Sequence, residues 1–366
     1  MSIDYSSSLP RLRARRLGTD RGKVSLNETL AKAERYQRRV NTDATRYTLG
    51  AMQEVDPEYT NVSNDEGDRV AAALRSGLTT AGRYADFRQQ GSVPANTHIR
   101  GASDVDLLVL GGVFTYDAFG ARALAGHYTP WHGSIVDDVE GLRNDCETIL
   151  TRRYYAATVD TSKPKSIRLS DGSLARDIDV VPAHWSDNVT YQSTLAERDR
   201  GVCILDRSVP TTLMNLPFLH IDRLDVGDGP TFGGLKMSIR LLKNLKADST
   251  REIDLSSYDM AGIMWNCDAA MLRYRDGHEL SVLLGTDQWL EWLVANPAHA
   301  AGLNTPDGIR RVLDEPRKFA ALAVLAAEVA ALRTAVASEW LPLLKSQGSS
   351  FAADRRSLLE DVLIPG

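Results

Sequence analysis

GSVPANTHIRGASDVDLLVL, residues 91–110, opens on a glycine-serine pair and closes on an apolar run. Asp104 and Asp106 stand two apart where that run begins. On an extended chain, side chains two apart point to the same face. DVDLLVL (104–110) starts in polar alternation and turns wholly apolar, which predicts a strand entering a sheet covered on both faces. Two carboxylates held side by side repel each other unless a cation lies between them. Hard divalent ions such as Mg2+ take oxygen ligands of this kind and commonly bind substrate phosphates as well. Upstream, Gly91 lets the backbone approach a phosphate closely, and the Ser92 hydroxyl with free amides can hold phosphate oxygens. A bare Gly-Ser or a bare DxD carries little meaning. Their combination with a third carboxylate on a later strand carries far more.

That third carboxylate is offered downstream. KSIRLS, then Asp171-Gly172, then LARDIDVVP (165–182) reads as a β-hairpin with a favoured turn pair. It provides Asp177 and Asp179, again two apart. In a two-metal site one ion activates a hydroxyl nucleophile and the other supports the triphosphate and its leaving group. Arg168, on the first hairpin strand, reads equally well as an acceptor contact or as a surface arginine.

Outside this region helical patterns dominate. Residues 1–22 are polar and arginine-rich and are expected to be mobile. Helices are predicted over about 26–52 and 65–80, and then over 233–247, 257–272, 280–295 and 316–338. The expected architecture is α+β: a mixed-sheet lobe with N-terminal helices (1–210), then a helical lobe (211–366), with a cleft between them. LKMSIRLLKNLK (235–246) splits by helical period into an apolar stripe (Leu235, Ile239, Leu242, Leu245) and a basic one (Lys236, Arg240, Lys243).

Composition narrows the classes. The chain has 366 residues, 43% hydrophobic and 25% charged, as an ordinary globular protein does. A net charge of −5 provides no global positive field for nucleic acid, although a local basic cluster can still bind small anions. Cys146, Cys203 and Cys267 lie far apart, which argues against a zinc ribbon and a disulfide scaffold and fits a reducing compartment. No apolar segment follows the N-terminal arginines, so no secretory signal is read. FAALAVLAAEVAAL from Phe319 is interrupted by Glu328 and reads as too short to span a bilayer, which takes about 20 residues. The expectation is a cytoplasmic protein with no membrane partner.

The stretch 91–110 resembles the GSxxxxTxhRGxSDxDLhV signature of oligoadenylate synthetases and their bacterial relatives, the CD-NTases, which resemble cyclic GMP-AMP synthase and act in CBASS anti-phage signalling. Gly91, Ser92, Thr97, Arg100, Gly101, Ser103, Asp104 and Asp106 match without a gap. DIDVVPA (177–183) is similar to the family strand that carries the third metal ligand, which makes Asp179 that ligand and Asp177 its neighbour. NLPFLHI (215–221) resembles the family's Asn-x-Pro segment.

The resemblance implies a polymerase-β-like nucleotidyltransferase lobe and two Mg2+ ions, with Mn2+ as an alternative, on Asp104, Asp106 and Asp179. It further implies donor-triphosphate contacts from Arg240 and Lys243 on an LhRLhK-like helix. From LSSYDMAGI (255–263) it implies a phosphate contact from Ser257 and base stacking by Tyr258. His98 and His220 are read as structural or as minor substrate contacts. Pro94, within the phosphate loop, removes one amide donor. No zinc insertion and no long basic run are seen, so no DNA or RNA activator is expected.

The activity implied is template-independent synthesis of a cyclic oligonucleotide from NTPs, ATP and GTP foremost, giving a purine-containing cyclic dinucleotide like cGAMP. The alternatives are nucleotide transfer to a protein or RNA end, and a linear oligonucleotide product. DVLIPG ends the chain on what reads as a flexible tail, open to conjugation by a partner of the same defence system or to being a plain chain end.

Overall fold

Alternation along the strands decides how the sheet is covered. The computed structural model describes residues 5–17, 35–346, 359, 360 and 362–365. In chain order come helices α1 (Tyr5–Leu17), α2 (Arg35–Arg39), α3 (Asp43–Met52) and α4 (Pro57–Thr80), then strands β1 (Ala85–Gln90) and β2 (Val105–Tyr116). Helix α5 (Ile135–Arg153) precedes β3 (Thr158–Asp160), β4 (Ile167–Ser170), β5 (Ile178–Asp187), β6 (Gly201–Asp206) and β7 (Thr211–Asn215). The remaining long helices are α6 (Pro217–Asp228), α7 (Gly234–Asp248), α8 (Ser257–Trp265), α9 (Glu279–Ala295) and α10 (Pro316–Ser346).

The chain divides into two compact units. One comprises Asp56–Ala95 and Ser103–Asp222, and the other Met1–Val55, Asn96–Ala102 and Arg223–Gly366. This differs from the expected contiguous split at residue 210, because α1 and α3 pack with α7 and α10 rather than with the sheet.

In the sheet unit the strand order is β1-β2-β5-β4-β3, with β6 on the far half of β5 and β7 beside β6. β2 and β5 run parallel, which requires a crossover, and the connection between them contains α5. Val105, Leu107 and Val109 of β2 join Ile167, Leu169, Ile178 and Val180 under α4 and α5, where Val70, Leu74, Leu142, Cys146 and Leu150 are buried. The alternate residues Leu108, Leu110, Val181, Ala183 and Trp185 form a second core with Val202 on the other face. Each such aliphatic side chain contributes about 1.5–3 kcal/mol on burial. By the same period of two, Asp104, Asp106, Arg168 and Asp179 belong to the second face, where β2 and β5 begin. Helix α4 starts well before the expected Asp65, because Asp56 caps it by accepting from the Glu58 amide and Pro57 suits its first turn. The hairpin loop is longer than a two-residue turn: Asp171 and Gly172 are both left-handed, yet β5 begins only at Ile178.

In the helical unit the N-terminal stretch is not without structure. Leu12 of α1 is fully buried, and Arg15 donates to both oxygens of Asp248 at 2.6 and 2.7 Å. The Tyr47 hydroxyl donates to the same carboxylate at 2.8 Å. The helix expected over 26–52 is interrupted between α2 and α3, and its first part lies outside the described residues. The start of α3 is capped from a distance, the Glu339 carboxylate accepting from the Ala44 and Thr45 amides at 2.7 and 2.9 Å. Helix α8 stops at Trp265, short of the expected 272.

Helix α10 is longer than the sequence suggested, and Pro316–Pro342 is long and apolar enough to cross a membrane by length and composition. Its Leu322, Leu325, Val329, Leu332 and Val336 are nevertheless buried in the unit. Its buried Glu328 accepts from Ser249 and Arg251 at 2.9 and 2.8 Å, and Arg333 pairs with the buried Asp287 at 2.7 Å. Those are the marks of a core helix. The described part of the tail is docked, not loose: Ile364 is fully buried, its amide donates to the Gly277 carbonyl at 2.8 Å, and its carbonyl accepts from Arg39 at 2.9 Å.

Candidate active site

The acidic residues of the sheet unit are brought together by register. Asp106 on β2 is the direct neighbour of Asp179 on β5, and Asp179 is the direct neighbour of Arg168 on β4. Three adjacent strands thus place a carboxylate, a carboxylate and a guanidinium in one row. Asp104 and Asp177 stand just before β2 and β5, where the Val105 amide donates to the Asp177 carbonyl at 3.1 Å.

Arg168 holds this group together. It donates to Asp104 at 2.6 and 3.3 Å and to Asp177 at 2.9 Å, and its guanidinium lies 3.9 Å from Asp179. Lys163 donates to both oxygens of Asp179 at 3.1 and 3.3 Å. Burial pushes the Asp104 carboxyl above its ordinary range; Arg168 opposes the shift, while Asp179 and Asp177 add to it. Three carboxylates, Asp104, Asp177 and Asp179, thus share the two cations Arg168 and Lys163.

The loops around the row are anchored from the helices beneath the sheet. Fully buried Arg143 of α5 donates to the carbonyls of Thr161, Lys163, Pro164 and Ser166, which fixes the loop that carries Lys163. Glu66 of α4 accepts from the Ala175 amide at 2.9 Å, and Arg69 donates to the Ser173 carbonyl at 3.2 Å, which fixes the loop that ends at Asp177. Lys163 and Arg143 were missed by sequence reasoning. SKPKS has no periodic signature, and an arginine inside a helix does not announce that its partners are loop carbonyls.

Gly91 stands against Asp106 in a left-handed turn. Its φ is +79°, and a Cβ there would lie 2.2 Å from an Asp106 carboxylate oxygen. The missing side chain is therefore what lets the loop close over Asp106. Ser92 follows in the same turn, half-buried.

The donor set suits a hard divalent cation: carboxylate oxygens from adjacent strands on one face, backed by a glycine loop. Among the described residues, however, no three His, Cys, Asp or Glu side chains are gathered as ligands of one ion. Arg168 and Lys163 bond oxygens of Asp104, Asp177 and Asp179.

The basic stripe of α7 is mostly enclosed, and its two inner cations bond backbone. Arg240 is 2% exposed and Lys243 is 5% exposed. Arg240 donates to the carbonyls of Met52 and Asn96 at 2.8 and 2.7 Å, and Lys243 donates to that of Thr97 at 2.9 Å. Burial lowers the Arg240 pKa to about 10. Both cations tie down the segment Asn96–Ala102, the middle of the signature, which belongs to the helical unit. Arg240→Met is expected to cost about 2–4 kcal/mol, because buried carbonyls lose their donor and only part of that is offset by the desolvation relieved. Denaturant titration checks it. Unchanged stability with a raised KM for NTP would restore the phosphate-contact reading.

Ser257 is exposed as the first residue of α8, while Ser256 and Asp259 form its capping box. Tyr258 is half-buried, with the Arg310 guanidinium 5.3 Å from its ring centre. Burial and Asp307 push the phenol pKa up. His98 and His220 are buried.

A mixed sheet with paired strand carboxylates beside a glycine-serine turn defines a nucleotidyltransferase of the polymerase-β-like type. No family model matches the chain. The cyclic dinucleotide synthase CdnE of Yersinia aleksiciae is 37% identical over 358 residues, covering 92% of this chain and 93% of that one. A c-di-GMP synthase of a Lachnospiraceae bacterium is 30% identical over 312 residues, covering 80% and 87%. Among solved structures, the STING-associated CdnE c-di-GMP synthase of Capnocytophaga granulosa matches with a TM-score of 0.68 at 28% identity, over 90% of this chain and 97% of that one. The chain belongs to the CD-NTase family of cyclic dinucleotide synthases.

Proposed function

We propose that this chain joins two nucleoside triphosphates into a cyclic dinucleotide messenger for anti-phage defence, without a template and with release of pyrophosphate. The observation that carries the reading is the row Asp106–Asp179–Arg168, with Asp104 at its end and Gly91 against Asp106. Asp104, Asp106 and Asp179 would hold two Mg2+ ions. When bound, these ions lower the pKa of the attacking hydroxyl and stabilise charge on the leaving group.

The protein's part is positioning. The Gly91-Ser92 turn brings backbone amides and a hydroxyl to the donor phosphates. A ribose hydroxyl of the acceptor then bonds to the α-phosphorus as the bond to pyrophosphate breaks, and a second transfer closes the ring. On the helical unit, Ser257 remains the candidate for a phosphate contact and Tyr258 for base contact. Arg240 and Lys243 serve by holding the backbone at Asn96 and Thr97.

The relatives named as c-di-GMP synthases favour GTP for both halves over a mixed ATP and GTP product. The test is incubation with each NTP and each pair plus Mg2+, with products identified by mass and nuclease sensitivity. GTP alone yielding a phosphatase-resistant cyclic dimer is the expected result. Only linear product, or label transferred to protein or RNA, would overturn the cyclic reading.

A further inference from the structure

Asp177 has no assigned task, yet Arg168 commits a charge-assisted bond to it. Arg168 forks between Asp104, a proposed metal ligand, and Asp177, which the ligand set does not include; the contacts are 2.6 and 2.9 Å. The fork is held in place on both sides. Arg168 sits on β4 in register with Asp179, and the loop ending at Asp177 is anchored by Glu66 and Arg69. A divalent cation needs the Asp104 oxygens that Arg168 now bonds. Arg168 and the ion therefore compete for one carboxylate, and Asp177 offers the guanidinium a second seat a short side-chain movement away.

We infer that Arg168 is a positioning residue that keeps the carboxylates gathered and yields Asp104 to the metal, and that Asp177 is the partner which retains Arg168 when it yields. This rests on the reading of the cluster as a metal site. Without Arg168, Asp104, Asp177 and Asp179 would repel one another across the strand ends. Without Asp177, Arg168 would have only the metal's own ligands to bond, and the ion would displace it at greater cost.

The test measures Mn2+ binding to the nucleotide-free protein by the loss of the free-ion spin-resonance signal. It compares the parent with Asp104→Asn, Arg168→Gln, Asp177→Asn and the double variant Arg168→Gln/Asp177→Asn. Asp104→Asn should abolish the site. Arg168→Gln should tighten Mn2+ binding roughly tenfold, since a positive charge a few ångströms from the ion is removed. Asp177→Asn should weaken it at least about threefold, and that loss should vanish in the Arg168→Gln background, as coupling through a shared partner requires.

Unchanged binding in Asp104→Asn would overturn the metal-site reading itself. If Asp104→Asn loses binding but Arg168→Gln does not tighten it, the metal site stands and the competition is refuted. An Asp177→Asn effect that persists in the double variant would refute the role given to Asp177. Should Arg168→Gln not fold, Asp177→Asn decides alone, and unchanged Mn2+ affinity overturns the proposal.

Discussion

Asp179→Asn is expected to fold like the parent and to form product more slowly by about 10^3-fold or more, the scale of losing a group that stabilises developing charge. Asp179 is central to the row, neighbour to Asp106 on one side and to Arg168 on the other. Asparagine keeps the volume and one oxygen but removes the charge that a divalent ion requires. The structural cost is small. The bond lost is to Lys163, whose side chain is 37% exposed, and pairs of that kind contribute only about 0–1 kcal/mol. Loss of product with an unmoved melting curve is therefore the signature. Asp106→Asn should behave alike. Parent-rate product from either variant would remove the aspartates from the chemistry.

Gly91→Ala should produce the second-largest loss, about 10^2-fold in kcat, the cost of a catalytic group displaced by about an ångström. The backbone there is left-handed, which costs a residue with a Cβ roughly 1–2 kcal/mol. The added methyl would also sit 2.2 Å from an Asp106 oxygen, so the carboxylate or the loop has to move. Steady-state kinetics with each NTP distinguishes the two links. A fall in kcat reports the displaced aspartate, whereas a rise in KM alone would report only a disturbed phosphate turn. Parent kcat in the Gly91→Ala enzyme would show that Asp106 does not have to stand where Gly91 allows it.

These two positions were legible in the sequence for a local reason. Strand alternation is a property of the chain itself, so Asp104 and Asp106 had to share a face with Leu108 and Leu110, and Asp179 with Val181. Glycine before serine at a turn likewise states its own backbone requirement. Asp177 was less legible: the Asp-Gly turn is real, but the loop runs on past it, so Asp177 falls outside β5. Lys163 was invisible, because its position depends on a buried arginine of α5 that gathers four carbonyls from another segment.

The basic stripe of α7 shows where pattern reading stops. Helical period correctly separated Arg240 and Lys243 from the leucines, and a polar stripe ordinarily faces water or a ligand. Here the helix is enclosed on that side too, and the partner carbonyl at Asn96 lies 144 residues away in the chain. A buried cation bonded to distant backbone has the same local sequence as an exposed one. The same holds for α1, whose arginine-rich sequence gave no sign that Asp248, itself bonded to Tyr47, would seat it. It holds also for the tail, where Ile364 is buried through Gly277 and Arg39.

What the sequence determined by itself is the acidic face, its glycine turn and the helical character of the C-terminal half, because each follows from spacing along one segment. The tertiary structure alone decided that Arg168 and Lys163 share the carboxylates, that Arg240 and Lys243 brace the signature's backbone, and that α1 and α3 join the helical unit while α4 stays with the sheet. Those outcomes depend on which distant groups meet, and the desolvation of a charge is set by its neighbours in space rather than by its neighbours in the chain.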